Sequence, residues 1–189
     1  MESDAELIRK SAAGDPSPFV ELVRRHERAI YKYLARRVGQ TPAEDLLSDV
    51  WLAAFADRAN FDTAWESARP WLFGIARNRI RSHWRQRHPD VVEAEFGSDP
   101  WPDVDARLVS SASMPGLVAA LKVLPADDRE VLLLVAWEEL TPTDAALVLG
   151  IPAGTARSRL HRARAALRKQ LEGLTDGPTV IETSLGGKR

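Results

Sequence analysis

Charge is sorted into blocks along the chain, and this sorting limits the folds that the chain can adopt. Residues 67–89 hold six Arg and no acid, residues 89–106 hold six acids and no Lys or Arg, and residues 145–171 hold five Arg, one Lys and no acid. Like charges one turn apart on a helix repel each other by roughly 0.2–0.5 kcal/mol per pair. A single charge run is usually a solvated helix face, but two acid-free basic blocks on predicted helices favour contact with an external polyanion.

The acidic block lies in a segment that combines three Pro, a Gly and a Ser-rich stretch. Such a composition does not bury enough apolar surface to order itself. We therefore expect two small helical domains, at 1–88 and 114–172, joined by a flexible acidic linker at 89–113. The remaining residues, 173–189, are expected to form a flexible tail.

Helical periodicity dominates the chain and strand signals are nearly absent, so we predict an all-α fold. The chain has 189 residues, with 26 Lys and Arg against 27 Asp and Glu, four His and no Cys. The absence of cysteine excludes disulfides, thiolate metal ligands and cysteine nucleophiles, and four scattered His are poor material for a zinc site. No nucleophile–base pair or phosphate-binding loop is visible either. We therefore expect neither an enzyme nor a bound cofactor or metal.

No apolar run approaches the roughly 18–20 residues that a membrane span needs, and the N-terminal residues are charged where a signal peptide is apolar. We therefore expect a soluble, cytoplasmic protein that does not insert into a membrane. Its net charge of −1 is unusual for a nucleic-acid-binding protein. That average conceals the two basic blocks.

Start and stop signals divide the chain into helices. Ser17-Pro18 is predicted to supply an N-cap with proline at the first helical position. The sequences from Thr41 to Glu44 and from Thr141 to Asp144 are each predicted to form a capping box around such a proline. Gly150 is expected to end the helix that Thr141 begins, because glycine accepts the backbone conformation that closes a helix.

The helix predicted from Pro42 to about Arg58 has two distinct faces. Its apolar residues, spaced three and four apart, are expected to face the core. The opposite face holds Asp45, Ser48 and Asp49, with Leu52 among them. An exposed leucine surrounded by acids is either an ordinary surface residue or the centre of a small partner contact.

The arginine-rich helix predicted at about 69–87 carries one polar stripe, and aromatic residues lie before the helix and in its first turn. The stripe consists of Arg77, Asn78, Arg81 and Arg85. The aromatic residues beside it are Phe61, Trp65 and Trp71. Rings beside a basic groove are typical of sites where single-stranded bases stack, although each ring can equally be part of the core.

Residues 141–171 have the spacing of a helix-turn-helix, with a short capped helix, a turn at Gly150 and a long second helix. Ala146 is expected to pack where the two helices cross. Ala156 is expected to face inward, and the second helix carries one apolar face made by Ala156, Leu160, Ala163, Leu167 and Leu171. Its predicted DNA readers are Arg157, Ser158, Arg159 and Arg162, with Thr155 donating to a phosphate. The alternative is a solvent-exposed basic helix of a bundle.

Three stretches in this order resemble a known family. They are AEDLLSDVWLAAF, RPWLFGIARNRIRSHWRQR and LPADDREVLLLVAWEELTPTDAALVLGIPAGTARSRLHRARAAL. Together they are similar to the extracytoplasmic-function group of bacterial RNA polymerase sigma factors, over about residues 4–88 and 115–172. The resemblance implies a dissociable polymerase subunit that directs the core enzyme to promoters and helps to melt the minus-ten element.

The resemblance also implies a role for each surface. The residues expected to contact a coiled coil of the largest polymerase subunit are Glu44, Asp45, Asp49 and Leu52. Asn60 to Glu66 corresponds to a loop that captures a flipped minus-ten base, which makes Phe61 and Trp65 candidates for its pocket. The arginine-rich helix corresponds to the minus-ten reader and the helix-turn-helix to the minus-thirty-five reader. The implied partners are core RNA polymerase, promoter DNA and an anti-sigma factor.

Some positions depart from the pattern of the family, and other functions remain open. Pro142, Asp144, Ala145, Ala156 and Ser82 differ from the residues that many relatives carry. Arg79 falls within the apolar arc of its helix, so its side chain must reach solvent or find a partner. The alternatives are a helix-turn-helix repressor or activator that is not a polymerase subunit, and a helical adaptor without a DNA role.

Overall fold

In the computed structural model, the structure is described for residues 2–87 and 114–175, and within these ranges it contains helices and no strand. The helices of the first range are α1 (Asp4–Ala12), α2 (Ser17–Val38), α3 (Gln40–Asp57) and α4 (Arg69–Arg87), with a 3₁₀ turn at Arg58–Asn60. Those of the second are α5 (Met114–Val123), α6 (Ala126–Ala136), α7 (Pro142–Leu149) and α8 (Ala153–Thr175). The all-α prediction is confirmed. The predicted linker and residues 176–189 of the predicted tail lie outside the described residues.

One predicted capping box forms and the other does not. The Thr141 hydroxyl accepts from the Asp144 N–H at 3.1 Å, and the Asp144 carboxylate accepts from the Thr141 N–H at 3.2 Å. The prediction at Thr41 is wrong, because α3 already begins at Gln40 and no side chain caps it. Gly39, with a φ of 84°, makes the turn between α2 and α3 and starts the helix before Thr41 can cap it.

The start of α2 also differs from its prediction. Pro16 is the N-cap residue and Ser17 is the first residue of the helix. The Ser17 N–H donates to a carboxylate oxygen of Asp15 at 2.9 Å. Asp15 therefore satisfies the first N–H of the helix, and the prediction of Ser17 as the N-cap is wrong.

The helices α1 to α4 enclose a tightly packed apolar core. Its fully buried members include Leu22, Ile30, Tyr33, Val50 and Leu72. Burying a side chain of this size contributes about 1.5–3 kcal/mol. The helix α3 is held against both α2 and α4, which fixes the side that it presents to solvent.

The helix-turn-helix forms as predicted at its centre. Ala146 and Ala156 are buried, and Gly150 has the left-handed φ of 67° that the turn requires. Leu160 and Ala163 are buried against the same core, but Leu171 is 37 % exposed. The apolar face of α8 is therefore covered near the turn and open to solvent toward the end of the helix.

The two helical ranges pack against each other. The helix α7 lies on α4, and the buried side chains of Leu134, Leu140, Ala145 and Val148 belong to the same apolar cluster as the core of α1 to α4. This contact places the beginning of the helix-turn-helix beside the arginine-rich helix.

Candidate polymerase and nucleic-acid interfaces

The helix α3 presents the four residues predicted to bind a partner on one exposed face. Glu44, Asp45 and Asp49 are exposed, and Leu52 is 70 % exposed. The opposite face of the helix buries Ala43, Leu46, Val50 and Ala54. The apolar packing of α3 thus fixes an acidic surface that is followed, toward the C-terminal end of the helix, by one projecting leucine.

Arg79 lies in the groove between α3 and α4. It is half-buried and lines two separate pockets there, one with Asp45 and Asp49 and the other with Asp57. The side chain of Arg79 therefore reaches the edge of the packed face of α4, at a surface that acids of α3 also line. His83 lines the same groove, and burial, followed by the charge of Arg87, lowers the pKa of its imidazole.

The polar stripe of α4 is divided between solvent and the neighbouring helices. Asn78 and Arg85 are exposed, and Arg81 is half-buried. The side chain of Arg77 is 21 % exposed, and its Nε lies 3.8 Å from a carboxylate oxygen of Glu130 on α6. The first arginine of the stripe therefore faces the second helical range.

The three predicted base-stacking residues form one aromatic cluster at the start of α4. The Phe61 ring lies 5.2 Å from the Trp71 ring and 6.2 Å from the Trp65 ring, measured between centroids. Phe61 is only 7 % exposed, whereas both tryptophans are half-buried. Phe61 supports the tryptophans from beneath, and the tryptophans form the accessible part of the cluster.

A buried ion cluster joins α2 and α4 to α6. Arg37, which is 3 % exposed, places its Nη1 3.3 Å from both carboxylate oxygens of Glu130. The same carboxylate faces Arg77, and the Arg37 guanidinium lies 4.7 Å from the Tyr33 ring. Glu130 thus brings together the end of α2 and the polar stripe of α4.

A second cluster lies around Glu138, just after α6. Its carboxylate pairs with Arg36, and its backbone carbonyl accepts from Arg69 Nη2 at 2.6 Å. The Arg36 guanidinium also stacks 5.3 Å from the Trp137 ring. Burial raises the pKa of the Glu138 carboxyl, against the opposing effect of Arg36. Sequence reasoning missed both glutamates, because their partners lie far away in the chain.

The second helix of the helix-turn-helix presents its predicted DNA readers in different states. Arg157 and Ser158 are exposed, and the Ser158 hydroxyl donates to the Thr155 carbonyl at 2.9 Å. Thr155 itself is half-buried. Among the described residues no acid forms an ion pair with Arg157, so its guanidinium is available to a ligand.

The other two predicted DNA readers, Arg159 and Arg162, form ion pairs with acids in the first turn of α6. Arg159 Nη2 lies 2.6 Å from a carboxylate oxygen of Asp127, which is itself largely exposed. Arg162 donates to both oxygens of the buried Asp128, at 2.9 and 2.7 Å, and this pairing raises the pKa of its guanidinium. Two parallel hydrogen bonds fix the orientation of Arg162. The sequence did not indicate that Asp127 and Asp128 are partners of this helix.

Comparison with known proteins identifies the family to which this arrangement of helices belongs. Residues 22–89 match the Sigma-70 region 2 family, and residues 116–167 match the Sigma-70 region 4 family. The RNA polymerase sigma factor NccH of Alcaligenes xylosoxydans xylosoxydans is 34 % identical over 182 residues, which cover 89 % of this chain and 95 % of NccH. None of the helices in residues 2–87 and 114–175 combines the length and apolar character of a membrane span.

Two solved structures are also similar to this chain over most of its length. CnrH, solved in complex with the cytosolic domain of CnrY, has a TM-score of 0.64 and 26 % identity, over 90 % of this chain and 97 % of CnrH. The sigma factor RpoE from Bartonella quintana, solved in complex with the anti-sigma factor NepR, has a TM-score of 0.61 and 28 % identity, over 82 % of this chain and 96 % of RpoE. The chain therefore belongs to the extracytoplasmic-function group of RNA polymerase sigma factors.

Proposed function

We propose that this protein is a dissociable subunit that directs core RNA polymerase to specific promoters and helps to open them. The observation that carries this proposal is the presence of region 2 and region 4 matches in one chain, in that order. The protein acts by binding rather than as an enzyme, and it works in the cytoplasm without a cofactor. Its functional units are residues 1–88 and 114–172, with 89–113 as the connecting segment.

The acidic face of α3 is the proposed contact with the polymerase. Glu44, Asp45 and Asp49 precede Leu52 on the same side of the helix, so a basic surface with an apolar socket next to it would fit them. An apolar centre with a polar rim is the usual organisation of a protein–protein contact. Since α3 is packed on both α2 and α4, the contact is held rigidly relative to the minus-ten surface.

The minus-ten surface combines the polar stripe of α4 with the aromatic cluster. Arg81 and Arg85 follow Arg77 along the same side of the helix and would contact phosphates, with Asn78 beside them. Trp65 and Trp71 would stack on unpaired bases, at about 1–3 kcal/mol per base, while Phe61 supports them. For DNA to reach Arg77, its guanidinium must exchange Glu130 for a phosphate.

The minus-thirty-five surface is the exposed side of α8. Arg157 and Ser158 are ready to contact DNA, with Thr155 at the N-terminal end of the helix. Arg159 can reach a base only after it exchanges the exposed carboxylate of Asp127. Arg162 is bound to a buried carboxylate, and its contribution is to phosphate contact and to the orientation of the helix.

An anti-sigma factor is the proposed regulatory partner. CnrH and RpoE were both solved with a bound protein, the cytosolic domain of CnrY and the anti-sigma factor NepR. A partner that covered the acidic face of α3 would exclude the polymerase from this chain.

The test is run-off transcription with core polymerase on genomic fragments, followed by mapping of the transcripts that require this protein. Leu52→Arg is expected to abolish core binding, and Val20→Arg, which alters another exposed apolar residue, serves as its control. Arg159→Ala is expected to weaken initiation at promoters with a minus-thirty-five element while core binding is retained. Tight binding to palindromic DNA without polymerase, together with no effect on transcription by the core enzyme, would instead indicate an ordinary helix-turn-helix regulator.

A further inference from the structure

We propose that α1 positions the loop of residues 61–68 for capture of a minus-ten base, with Asp4 as the positioning residue. This inference rests on the proposed function, because that function gives the loop its task. The region 2 match begins at residue 22, so it does not include α1. The helix α1 is hydrogen-bonded near both ends of the segment that carries Phe61 and Trp65.

The first tie lies at the end of the loop, where Asp4 holds the residue that leads into α4. A carboxylate oxygen of Asp4 accepts from the backbone N–H of Ala68 at 3.0 Å. Ala68 is completely buried, and its carbonyl accepts from the Leu72 N–H at 2.9 Å in the first turn of α4. Asp4 thus fixes the point at which the loop becomes the minus-ten helix.

Asp4 is itself held in place by α2. His26 Nε2 donates to the carboxylate at 2.7 Å, and Arg25 Nη1 donates to its other oxygen at 3.3 Å. Arg25 also donates to the backbone carbonyl of Glu2 at 2.7 Å. Burial raises the pKa of the Asp4 carboxyl, but the hydrogen bonds from His26 and Ala68 outweigh this effect and lower it. The acceptor is therefore ionised at neutral pH, and the Arg25 guanidinium and the His26 ring orient it.

The second tie lies at the beginning of the segment, where the other end of α1 holds the 3₁₀ turn. Arg58 Nε donates to the backbone carbonyl of Ser11 at 3.3 Å, and the Arg58 guanidinium stacks 3.8 Å from the Phe55 ring. The turn ends directly before Phe61. The two ends of α1 therefore hold both ends of the segment that carries the aromatic cluster.

Within the loop, the contacts are local. The Asp62 carboxylate accepts from the Ala64 N–H at 3.0 Å, and its carbonyl accepts from the Trp65 N–H at 3.1 Å. These bonds shape the turn but do not set its position relative to α4. The direction of Trp65 relative to Trp71 follows from where the loop ends, and Asp4 determines that end.

The experiment measures how well holoenzyme distinguishes a base from a gap in the minus-ten strand. Non-template oligonucleotides from a mapped promoter carry an abasic site at each minus-ten position in turn, and the ratio of intact to abasic affinity is recorded. The variants are Asp4→Ala, which removes the acceptor, and Asp4→Asn, which keeps one oxygen for the Ala68 N–H. Glu2→Ala is the control, because it removes a nearby exposed carboxylate that pairs with Lys10.

With Asp4→Ala, we expect the ratio at the captured position to fall about tenfold, the size of one hydrogen bond to a charged acceptor. Asp4→Asn is expected to restore most of the ratio, Glu2→Ala to leave it unchanged, and core affinity to stay within about twofold in all three. An unchanged ratio in Asp4→Ala overturns the inference, as does a parallel loss of core affinity, which would indicate general unfolding. If the unaltered holoenzyme shows no abasic discrimination at any position, base capture in the proposed function fails and the inference falls with it.

Discussion

Removing the Glu130 carboxylate should release the second helical range from the first. Glu130→Ala takes away the acceptor that Arg37 holds with two contacts of 3.3 Å, and both side chains are almost completely buried. Removing one partner of a buried ion pair costs about 3–5 kcal/mol, because the other charge stays out of water. We expect the equilibrium between docked and separated states to shift by about two to three and a half powers of ten.

The assay uses the fact that the chain contains no cysteine. Cysteines introduced at Glu27 on α2 and Thr143 on α7, both exposed, accept a fluorescent donor and acceptor. Energy transfer is then followed while urea is added, and Glu130→Ala should move the loss of transfer to lower urea. Glu139→Gln, an exposed acid in the same region, is the control.

A double variant tests whether an unpaired buried charge, and not a change in side-chain shape, causes the loss of docking. The double variant Arg37→Met with Glu130→Leu leaves no charge of this pair buried without its partner. Replacing a buried ion pair by apolar residues is often neutral for stability, so most of the docking should return. The reasoning is refuted if Glu130→Ala separates at the same urea concentration as the unaltered chain, or if the double variant is weaker than the single one.

Three further predictions concern other parts of the chain. Thr141→Ala removes the capping box of α7 and should lower the free energy of unfolding by about 0.5–2 kcal/mol in urea titrations, whereas Thr41→Ala, at the predicted box that does not form, should have little effect. Arg157→Ala should cost about 1–3 kcal/mol of promoter affinity in holoenzyme binding and leave the urea midpoint of unfolding unchanged. Arg162→Ala should lower that midpoint, because Asp128 then stays buried without its partner. The pKa of Asp4 is lowered, so its stabilisation is complete above the unfolded-state pKa near 3.9 and is lost as the pH falls through the folded value; Asp4→Asn should flatten this acid limb of stability.

Local signals in the sequence predicted most of the helices. The spacing of apolar residues gave the buried face of α3 and therefore the exposed position of Leu52, because a helix packed on one side leaves the opposite side in solvent. The capping box at Thr141 could be read from four adjacent residues, since all its hydrogen bonds are local. The same pattern at Thr41 gave a wrong prediction, because the turn at Gly39 starts α3 before Thr41.

The contacts between helices could not be predicted in the same way. Glu130 is an ordinary acid in an amphipathic helix until α2 and α4 are placed beside it, and its partner Arg37 is 93 residues away in the chain. Asp4 looks like a common first-turn acid that favours the helix dipole. Its bond to Ala68 spans 64 residues. In both cases the tertiary packing, and not a local pattern, assigns the partner.

These distant acids change the meaning of the arginine blocks. Acid-free basic helices favour contact with an external polyanion, yet Arg77, Arg159 and Arg162 each face a carboxylate from α6. A phosphate that replaces such a carboxylate gains only the difference between two similar charge-assisted hydrogen bonds. Arg157 and Arg85, which are exposed, should therefore contribute more to promoter affinity than their paired neighbours. In the proposed function, the paired arginines make promoter binding depend on the release of Glu130 and Asp127, which would couple α4 and α8 to the same element, α6.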